Sequence, residues 1–352
     1  MQRNQSNRLP ALDGLRGFAA ISVLIFHMGL WLNIPSLAPN SYLAVDLFFC
    51  LSGYVLPLAY QHRMDSLPTL LFLRIRLARL MPLIVLATAI SASYMVFAFR
   101  KRFAGEGLLS AAAVISGLFG LFDLPYFGAP ESIGGPFLFP LNPPQFTLFL
   151  ELFVNTFWWV IRRMNQLCLS LVLASFCFLL LSQTGLGGDV PESFWSGFPR
   201  VGGSFFAGVA VFHLEDRVPH WRGWTTVFWL LAAVMAGLFY MPLEAPLGVQ
   251  LVWVVVLSPF LVLTGARACL SAPTDRACMF GGAVSYPLYC LHYPIYRWIN
   301  ALCAHIQLQN IAIKAPLIIT LALLGSFTIL KLYDEPVRRL LTTRLQRLKS
   351  VR

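Results

Sequence analysis

An arginine and a histidine stand eleven residues apart near the start of the chain, and the stretch between them is apolar. Arg16 and His27 are separated by almost three helical turns and roughly 16 Å along the axis, so they share one helical face. Ionisable side chains at membrane depth are costly and mark candidate functional sites. We interpret the pair as a fixed positive charge at a membrane surface and a proton-exchanging imidazole deeper in the bilayer. A histidine that is hydrogen-bonded within a helix bundle is the structural alternative.

Three further charged positions suggest chemistry. Arg76 and Arg79 are three residues apart and are expected on one face where a helix begins. Two guanidinium groups so placed suit phosphate oxygens, although contact with anionic lipid headgroups would explain them equally well. Glu151 is an acid within an apolar helix, and we place it in the outer half of that helix, where it needs a partner.

A polar stripe runs along a later apolar segment. Its members are spaced at i, i+4, i+7 and i+11, which puts them on one side of a helix; they are Ser285, Tyr289, His292 and Tyr296. Pro287 and Pro294 free backbone carbonyls and permit a kink. We expect the stripe to line a wet cavity, with an interfacial aromatic belt as the alternative.

The second apolar segment carries Asp46 near its start and a Ser52-Gly53 step further along. Small residues let membrane helices approach closely, so helix packing alone would explain this step.

Composition limits the class of protein. Of the 352 residues, 58% are hydrophobic and 12% are charged, whereas a soluble domain carries about 25% charged residues. We therefore predict an all-α membrane protein with a single domain over residues 1–352 and no separate soluble domain. The net charge of +11 falls in short loops and the C-terminal tail, as in membrane proteins, so nucleic acid is not expected as a partner. The seven cysteines lack metal-ligand spacing with histidine, and no metal site is expected.

Apolar runs predict about ten transmembrane helices, at residues 15–32, 42–60, 78–99, 145–161, 166–184, 200–214, 224–241, 247–264, 280–303 and 316–332. The run 107–124 is ambiguous. If it does not span, most arginines fall on the cytoplasmic side, so we predict that both termini are cytoplasmic. Residues 100–144 then form one long outer loop that contains a re-entrant or surface helix. The basic residues at 100–102 fall outside in this scheme and count against it.

These segments occur in order over most of the chain and together resemble the motifs of the acyltransferase 3 family. The Arg-x10-His pair of that family is matched by Arg16 and His27, and its RxxR pair by Arg76 and Arg79. The other matches are its FFxxSGF-type motif at Phe48, Phe49, Ser52, Gly53 and Tyr54; its WSLxxE segment at Phe146, Thr147, Leu148 and Glu151; its SYxxYLxH segment at Ser285, Tyr286, Tyr289 and His292; and its EPxR-like end at Glu335, Pro336 and Arg338.

The chain departs from the family pattern in one segment. Phe146 and Thr147 stand where the family has Trp and Ser, and Asn155 replaces an aromatic residue. Because we place this segment near the outer entrance, the departures bear on the choice of acceptor.

The resemblance implies a membrane O-acyltransferase of the inner (cytoplasmic) membrane. It would move an acyl group, expected to be acetyl, from cytoplasmic acyl-CoA to a hydroxyl of a cell-envelope or exported polysaccharide, presented as a glycan or a lipid-linked saccharide. Acyl-CoA enters as the donor substrate, and no cofactor is expected to stay bound. His27 would act as general base or carry the acyl group briefly, with Glu151 as the second catalytic residue. The donor would be held by Arg16, Arg76 and Arg79, and the substrate would be contacted by Asp46, Ser52, Ser285, Tyr289 and His292.

Other functions fit the same residues. A transporter could use His27, Glu151 and His292 as a proton relay, and a non-catalytic scaffold in polysaccharide export or an acyltransferase acting on a small molecule is also compatible. Transporters often consist of two similar halves. The sequence has no such internal symmetry, which favours the enzyme.

Overall fold

The computed structural model describes residues 9–102, 107–219 and 221–350, and the regular structure in these ranges is helical, without a strand. The α-helices are α1 Pro10–Trp31, α2 Ala44–Tyr60, α3 Thr69–Arg102, α4 Gly107–Leu121, α5 Phe146–Ile161, α6 Gln166–Thr184, α7 Gly197–Glu215, α8 Trp224–Tyr240, α9 Leu247–Val252, α10 Ser258–Arg267, α11 Ala272–His305, α12 Ile311–Ile329 and α13 Glu335–Ser350. Each of the ten predicted runs overlaps a helix.

The chain is a multi-pass membrane protein. Within the described ranges, the stretches long and apolar enough to cross a bilayer are Pro10–Trp31, Ser41–Tyr60, Thr69–Ala98, Gln166–Thr184, Leu247–Arg267 and Ile311–Leu345. The run 107–124 contains a helix, but its apolar part, Ala111–Leu121, is shorter than a normal span. The count of ten spans, the outer position of residues 100–144 and the side of each terminus stay predictions.

Two π-helical turns carry helices through prolines. The turn Trp253–Leu257 joins α9 to α10, and the turn Leu330–Asp334 joins α12 to α13. Each turn is followed, after one residue, by a proline: Pro259 and Pro336. A proline lacks the backbone N–H, and its ring clashes with the carbonyl four residues back. In both cases that carbonyl lies in the π turn, whose wider i to i+5 bonding gives the ring room, so the helix continues.

The structure divides into two compact units. The first unit comprises Met1–His62, Met164–Gln183 and Gly202–Tyr286, and the second comprises Arg63–Arg163, Thr184–Val201 and Pro287–Arg352. Arg16, His27, Asp46, Ser52 and Ser285 belong to the first unit, whereas Arg76, Arg79, Glu151, Tyr289 and His292 belong to the second.

In the first unit, glycines bring helix backbones into contact. A Cβ atom added at Gly17 would come within 2.8 Å of the backbone of Gly281, so α1 and the start of α11 touch there. A Cβ at Gly53 would overlap the carbonyl oxygen of Phe205, which fixes the crossing of α2 and α7. Both glycines are thus explained by close helix packing, as expected for membrane helices.

In the second unit, α3 and α5 run antiparallel. The ring of Phe72 stacks on that of Trp159, with 4.1 Å between centroids, and Thr88 Oγ1 donates to Gln145 Oε1 at 3.4 Å. The start of α3 therefore contacts the end of α5, and a later part of α3 contacts the residue just before α5. This register sets which charged side chains of the two helices meet.

Candidate functional site

His27 lies on α1 with its ring tautomer fixed by the backbone. Its Nδ1 is 2.9 Å from the carbonyl oxygen of Val23, one turn earlier. A carbonyl oxygen only accepts, so Nδ1 carries the proton, and the lone pair of the neutral ring lies on Nε2. The rings of Phe26 and Trp31 are near it, at 5.2 and 5.7 Å between centroids. The half-buried imidazole is therefore oriented as a base at Nε2.

Arg16 has an acidic neighbour one turn earlier on α1. Its Nη1 is 3.8 Å from Asp13 Oδ1, and both side chains are partly exposed. A Cβ atom at Gly282 would overlap the side chain of Asp13, so the start of α11 passes close to this pair. The first turns of α1 thus present a guanidinium that is held in place but still accessible.

The other predicted site residues of the first unit make structural contacts. Asp46 is fully buried and accepts a hydrogen bond from Ser204 Oγ at 3.3 Å. Ser285 Oγ donates to the backbone oxygen of Gly282 at 2.7 Å, and Ser52 precedes the glycine at the crossing of α2 and α7. A role for these three residues in substrate binding stays a prediction.

A buried charge cluster in the first unit was missed by the sequence analysis. Glu215 is buried, its Oε1 lies 3.3 Å from Arg267 Nε, and its Oε2 accepts the hydroxyl of Tyr54. The three residues are far apart in sequence and come together only through the packing of α2, α7 and α10. The available signal was an acid at the end of an apolar helix.

Arg76 and Glu151 form an ion pair in the second unit. Arg76 Nη2 is 3.2 Å from Glu151 Oε1, and Arg76 is only 3% exposed. From the sequence, we expect Arg76 where a helix begins, ahead of the predicted span 78–99, and Glu151 in the outer half of another helix. That separation is wrong, because α3 begins at Thr69 and carries Arg76 about 10 Å along its axis to meet α5.

A chain of hydroxyl groups links α11 to the start of α5. Tyr289 Oη lies 2.7 Å from Thr147 Oγ1, and Thr147 Oγ1 donates to the carbonyl oxygen of Pro144 at 3.0 Å. Both side chains are buried. The threonine that replaces the family serine keeps a hydroxyl in this chain, so the exchange preserves its hydrogen bonds.

His292 is the most enclosed of the predicted site residues in the second unit. It is 1% exposed, and its Nδ1 lies 2.8 Å from Tyr289 O and 3.1 Å from Leu288 O. As for His27, the proton must therefore lie on Nδ1. Tyr289 and His292 are both buried in the structure, and the wet cavity expected along this stripe stays a prediction.

The proline in the same stretch has a defined partner. Pro294 has no N–H to offer the carbonyl of Cys290, four residues earlier. Asn142 Nδ2 donates to that oxygen at 3.2 Å. The sequence shows that the proline leaves this carbonyl without a helical N–H donor, but it does not show that Asn142 is the donor.

Asp123 is a buried acid that the sequence analysis missed. Its Oδ1 accepts a hydrogen bond of 3.0 Å from Gln145 Nε2, which also donates to Gly120 O at 2.8 Å. Burial raises the pKa of Asp123 to about 7; the Gln145 hydrogen bond opposes this, and the charge of Glu151 adds to it. The carboxyl follows α4 and ties it to the segment that begins α5.

The end of α12 carries a second charge cluster. Arg338 Nη2 is 2.7 Å from Asp334 Oδ2, whereas Glu335 pairs with Lys331 at 2.6 Å and Arg339 at 3.7 Å. Glu335 and Arg338, which both belong to the EPxR-like end, therefore do not pair with each other. One more arginine, Arg79 of α3, interacts electrostatically with Asp334.

Comparison with known proteins identifies the family. A family model described as "Acyltransferase domain", that of acyltransferase 3, matches residues 9–331. The chain belongs to the acyltransferase 3 family. The prediction of an acyltransferase that transfers groups other than aminoacyl groups is thereby confirmed.

Several curated relatives match parts of this acyltransferase. Protein 2 in picA locus of Rhizobium radiobacter is 32% identical over 201 residues, which is 51% of this chain and 97% of the relative. O-acetyltransferase OatA of Staphylococcus aureus is 37% identical over 81 residues, 22% of this chain and 12% of the relative. Peptidoglycan O-acetyltransferase OatA of Listeria monocytogenes is 30% identical over 134 residues, 36% of this chain and 20% of the relative. The chain thus spans a minor part of either O-acetyltransferase, and no solved structure matches it.

Proposed function

We propose that the protein is a membrane O-acetyltransferase that moves an acetyl group from acyl-CoA to a hydroxyl of a cell-envelope or exported polysaccharide. Membership of the acyltransferase 3 family and the similarity to two O-acetyltransferases support the reaction class. The observation that carries the mechanism is the hydrogen bond from His27 Nδ1 to Val23 O, because it directs the basic nitrogen of the ring away from its own helix.

The transfer needs one base. Nε2 of His27 takes the proton of the acceptor hydroxyl as its oxygen attacks the thioester carbonyl carbon. A C–O bond forms and the C–S bond breaks, the thiolate of coenzyme A leaves, and the imidazolium returns the proton to it. A neutral imidazole is restored, so the enzyme ends the cycle as it began.

The donor is assigned to accessible arginines. Arg16 is partly exposed and Arg79 is exposed, so both can reach phosphate or thioester oxygens. Arg76 is buried against Glu151, and we therefore assign it to holding that carboxylate instead of to the donor. Glu151 retains partial exposure, which leaves it able to contact an acceptor hydroxyl.

The acceptor is assigned to the start of α5 and the segment before it. Thr147 and Tyr289 fix this region through paired hydroxyls, and Asn142 anchors it to α11. Residues here differ from the family pattern at positions 146 and 155, which suits a role in choosing the acceptor. The proposal places the protein in the inner membrane with both termini cytoplasmic, so that acyl-CoA arrives from the cytoplasm.

The direct test is transfer by the purified full-length protein in lipid nanodiscs. Acetyl-labelled acetyl-CoA is supplied with isolated cell-envelope glycan, and we expect label on the glycan that mild base releases, as an O-ester requires. A matched reaction with the His62→Ala variant, which changes an exposed histidine, should behave as wild type. Label that resists mild base, or glycan acetylation only with a donor other than acyl-CoA, would contradict the proposal.

A further inference from the structure

Only one arginine of the RxxR pair is exposed enough to bind a phosphate group. Arg76 is 3% exposed and lies 3.2 Å from the carboxylate of Glu151, so its charge is matched inside the second unit. Arg79 is exposed. Three residues correspond to a rotation of about 300° around the helix axis, so the two side chains point about 60° apart and can contact different neighbours. A site for a multiply charged phosphate needs another cation beside Arg79.

The second cation is on α13. Arg338 is one third exposed, and its Nη2 lies 2.7 Å from Oδ2 of Asp334, one helical turn earlier. Asp334 is fully buried, and it also interacts electrostatically with Arg79. Arg338 of α13 thus pairs directly with this carboxylate, and Arg79 of α3 lies near enough for its charge to act on it.

The π turn Leu330–Asp334 holds this cluster against α3. Tyr333 Oη donates to the carbonyl oxygen of Pro82 at 3.2 Å, and Pro82 is one turn beyond Arg79. The neighbouring acid, Glu335, forms its ion pairs with Lys331 at 2.6 Å and Arg339 at 3.7 Å. This hydrogen bond ties the π turn to α3 one turn beyond Arg79.

We propose that Arg79 and Arg338 together form the anion-binding site that takes the phosphate groups of the acyl donor, and that Asp334 is the positioning residue for both. The inference rests on the proposed use of acyl-CoA. Guanidinium groups bind phosphate oxygens bidentately, and the paired carboxylate presets their direction before the anion arrives. Phosphate oxygens of anionic lipids have the same chemistry, so the experiment must separate the two sources.

The test measures binding of coenzyme A to the purified full-length protein in phosphatidylcholine nanodiscs. We expect Arg79→Ala and Arg338→Ala each to weaken binding about tenfold or more, and Arg338→Lys to recover only part of it. Arg339→Ala is the matched control, because it removes an exposed guanidinium one residue away that pairs with Glu335. Its affinity should equal that of wild type.

Asp334→Asn separates positioning from simple attraction. The change makes the cluster more positive, so a site that worked by net charge alone would bind coenzyme A more tightly. A positioning role requires weaker binding instead, and KM for acyl-CoA should rise while KM for the acceptor stays constant. If this variant does not fold, the two arginine variants decide the matter, because both change exposed or partly exposed side chains.

Two comparisons identify the anion. Acetyl-pantetheine, which lacks the phosphates, should be used equally well by wild type and Arg338→Ala. Nanodiscs containing phosphatidylglycerol should leave the coenzyme A affinity of wild type unchanged, and strong competition would assign the site to lipid headgroups and overturn the inference. Unchanged affinity in Arg338→Ala would also overturn it while leaving acyl-CoA as donor. Failure of wild type to bind coenzyme A at all would instead remove both the inference and the proposed donor.

Discussion

The two units each contain a histidine with the same ring chemistry and different surroundings. His27 in the first unit and His292 in the second both donate Nδ1–H to a backbone carbonyl about one turn earlier. His27 is half-buried beside two aromatic rings, whereas His292 is 1% exposed and lies between Pro287 and Pro294 of α11. The tautomer alone therefore does not distinguish a reacting base from a packed side chain.

Access is the difference that matters. A general base must come within hydrogen-bond reach of the proton that it removes. His27 retains accessible surface, and His292 has almost none. Under the proposed function, we expect proton transfer in the first unit and support of the α5 and α11 region in the second, and the following changes test that division.

The largest effect is expected from removing the base. His27→Ala should lower the rate of acetyl transfer about 100- to 10,000-fold, the range for loss of general acid–base catalysis, with normal abundance in the membrane. His292→Ala should mainly lower the midpoint of thermal unfolding and retain most of kcat. Both are measured on purified protein. A loss of kcat in the His292 variant as large as that of His27→Ala, with the fold intact, would break the comparison.

Next in size is the ion pair of the second unit. Glu151→Gln leaves Arg76 buried without its carboxylate, which should cost about 2–4 kcal/mol of stability, reduced from the fully buried case because Glu151 is partly exposed. The double variant Arg76→Met with Glu151→Leu should recover most of that stability by removing both charges. Denaturation of the detergent-solubilised protein measures the difference. A double variant that is as unstable as the single one would show that the pair is not coupled.

A moderate, pH-dependent effect is expected at Asp123. Its pKa rises from 3.8 in the unfolded chain to about 7 in the fold, so the folded state holds the proton more tightly. Stability is therefore fully present below about pH 4 and falls as the pH rises towards 7. Asp123→Asn keeps the acceptor oxygen for Gln145 and should flatten this slope. The midpoint of thermal unfolding, measured between pH 4 and 8, tests this prediction. Parallel profiles for wild type and Asp123→Asn would show that Asp123 does not cause the pH dependence.

The smallest effect is expected at the helix contact of the first unit. Gly17→Ala puts a methyl group within 2.8 Å of the Gly281 backbone and should cost about 1–3 kcal/mol. Gly237→Ala on α8 is the control, because a Cβ there meets nothing within 4 Å and alanine favours the helix. Equal stability of the two variants would show that α1 and α11 are not in tight contact.

The sequence predicted the helices well because the backbone N–H and C=O groups of an apolar segment in a membrane must bond to each other, which a helix achieves. It failed at the start of α3, which begins at Thr69 and not at residue 78. The reason is that the apolar run used to predict this helix starts only after Arg76. Charged side chains are tolerated within a helix when a partner compensates them, as Glu151 does for Arg76.

The residues of the candidate site could be predicted from the sequence, but most of the contacts between them could not. The shared face of Arg16 and His27 follows from helix geometry alone. The contacts of Arg76 with Glu151 and of Asn142 with Cys290 join residues 75 and 148 positions apart. Such pairs depend on the register between helices, and local periodicity carries no information about it.

The π turn before Pro336 has a consequence for changes in chain length. A π turn holds one residue more than an α-helical turn of similar rise, and each residue rotates a helix by about 100°. Deleting a single residue from Leu330–Asp334 would leave a continuous helix but swing Arg338 and everything after it a quarter turn around the axis. The number of residues in this short stretch thus determines the direction in which Arg338 points. An insertion or deletion here should be tolerated less than most substitutions.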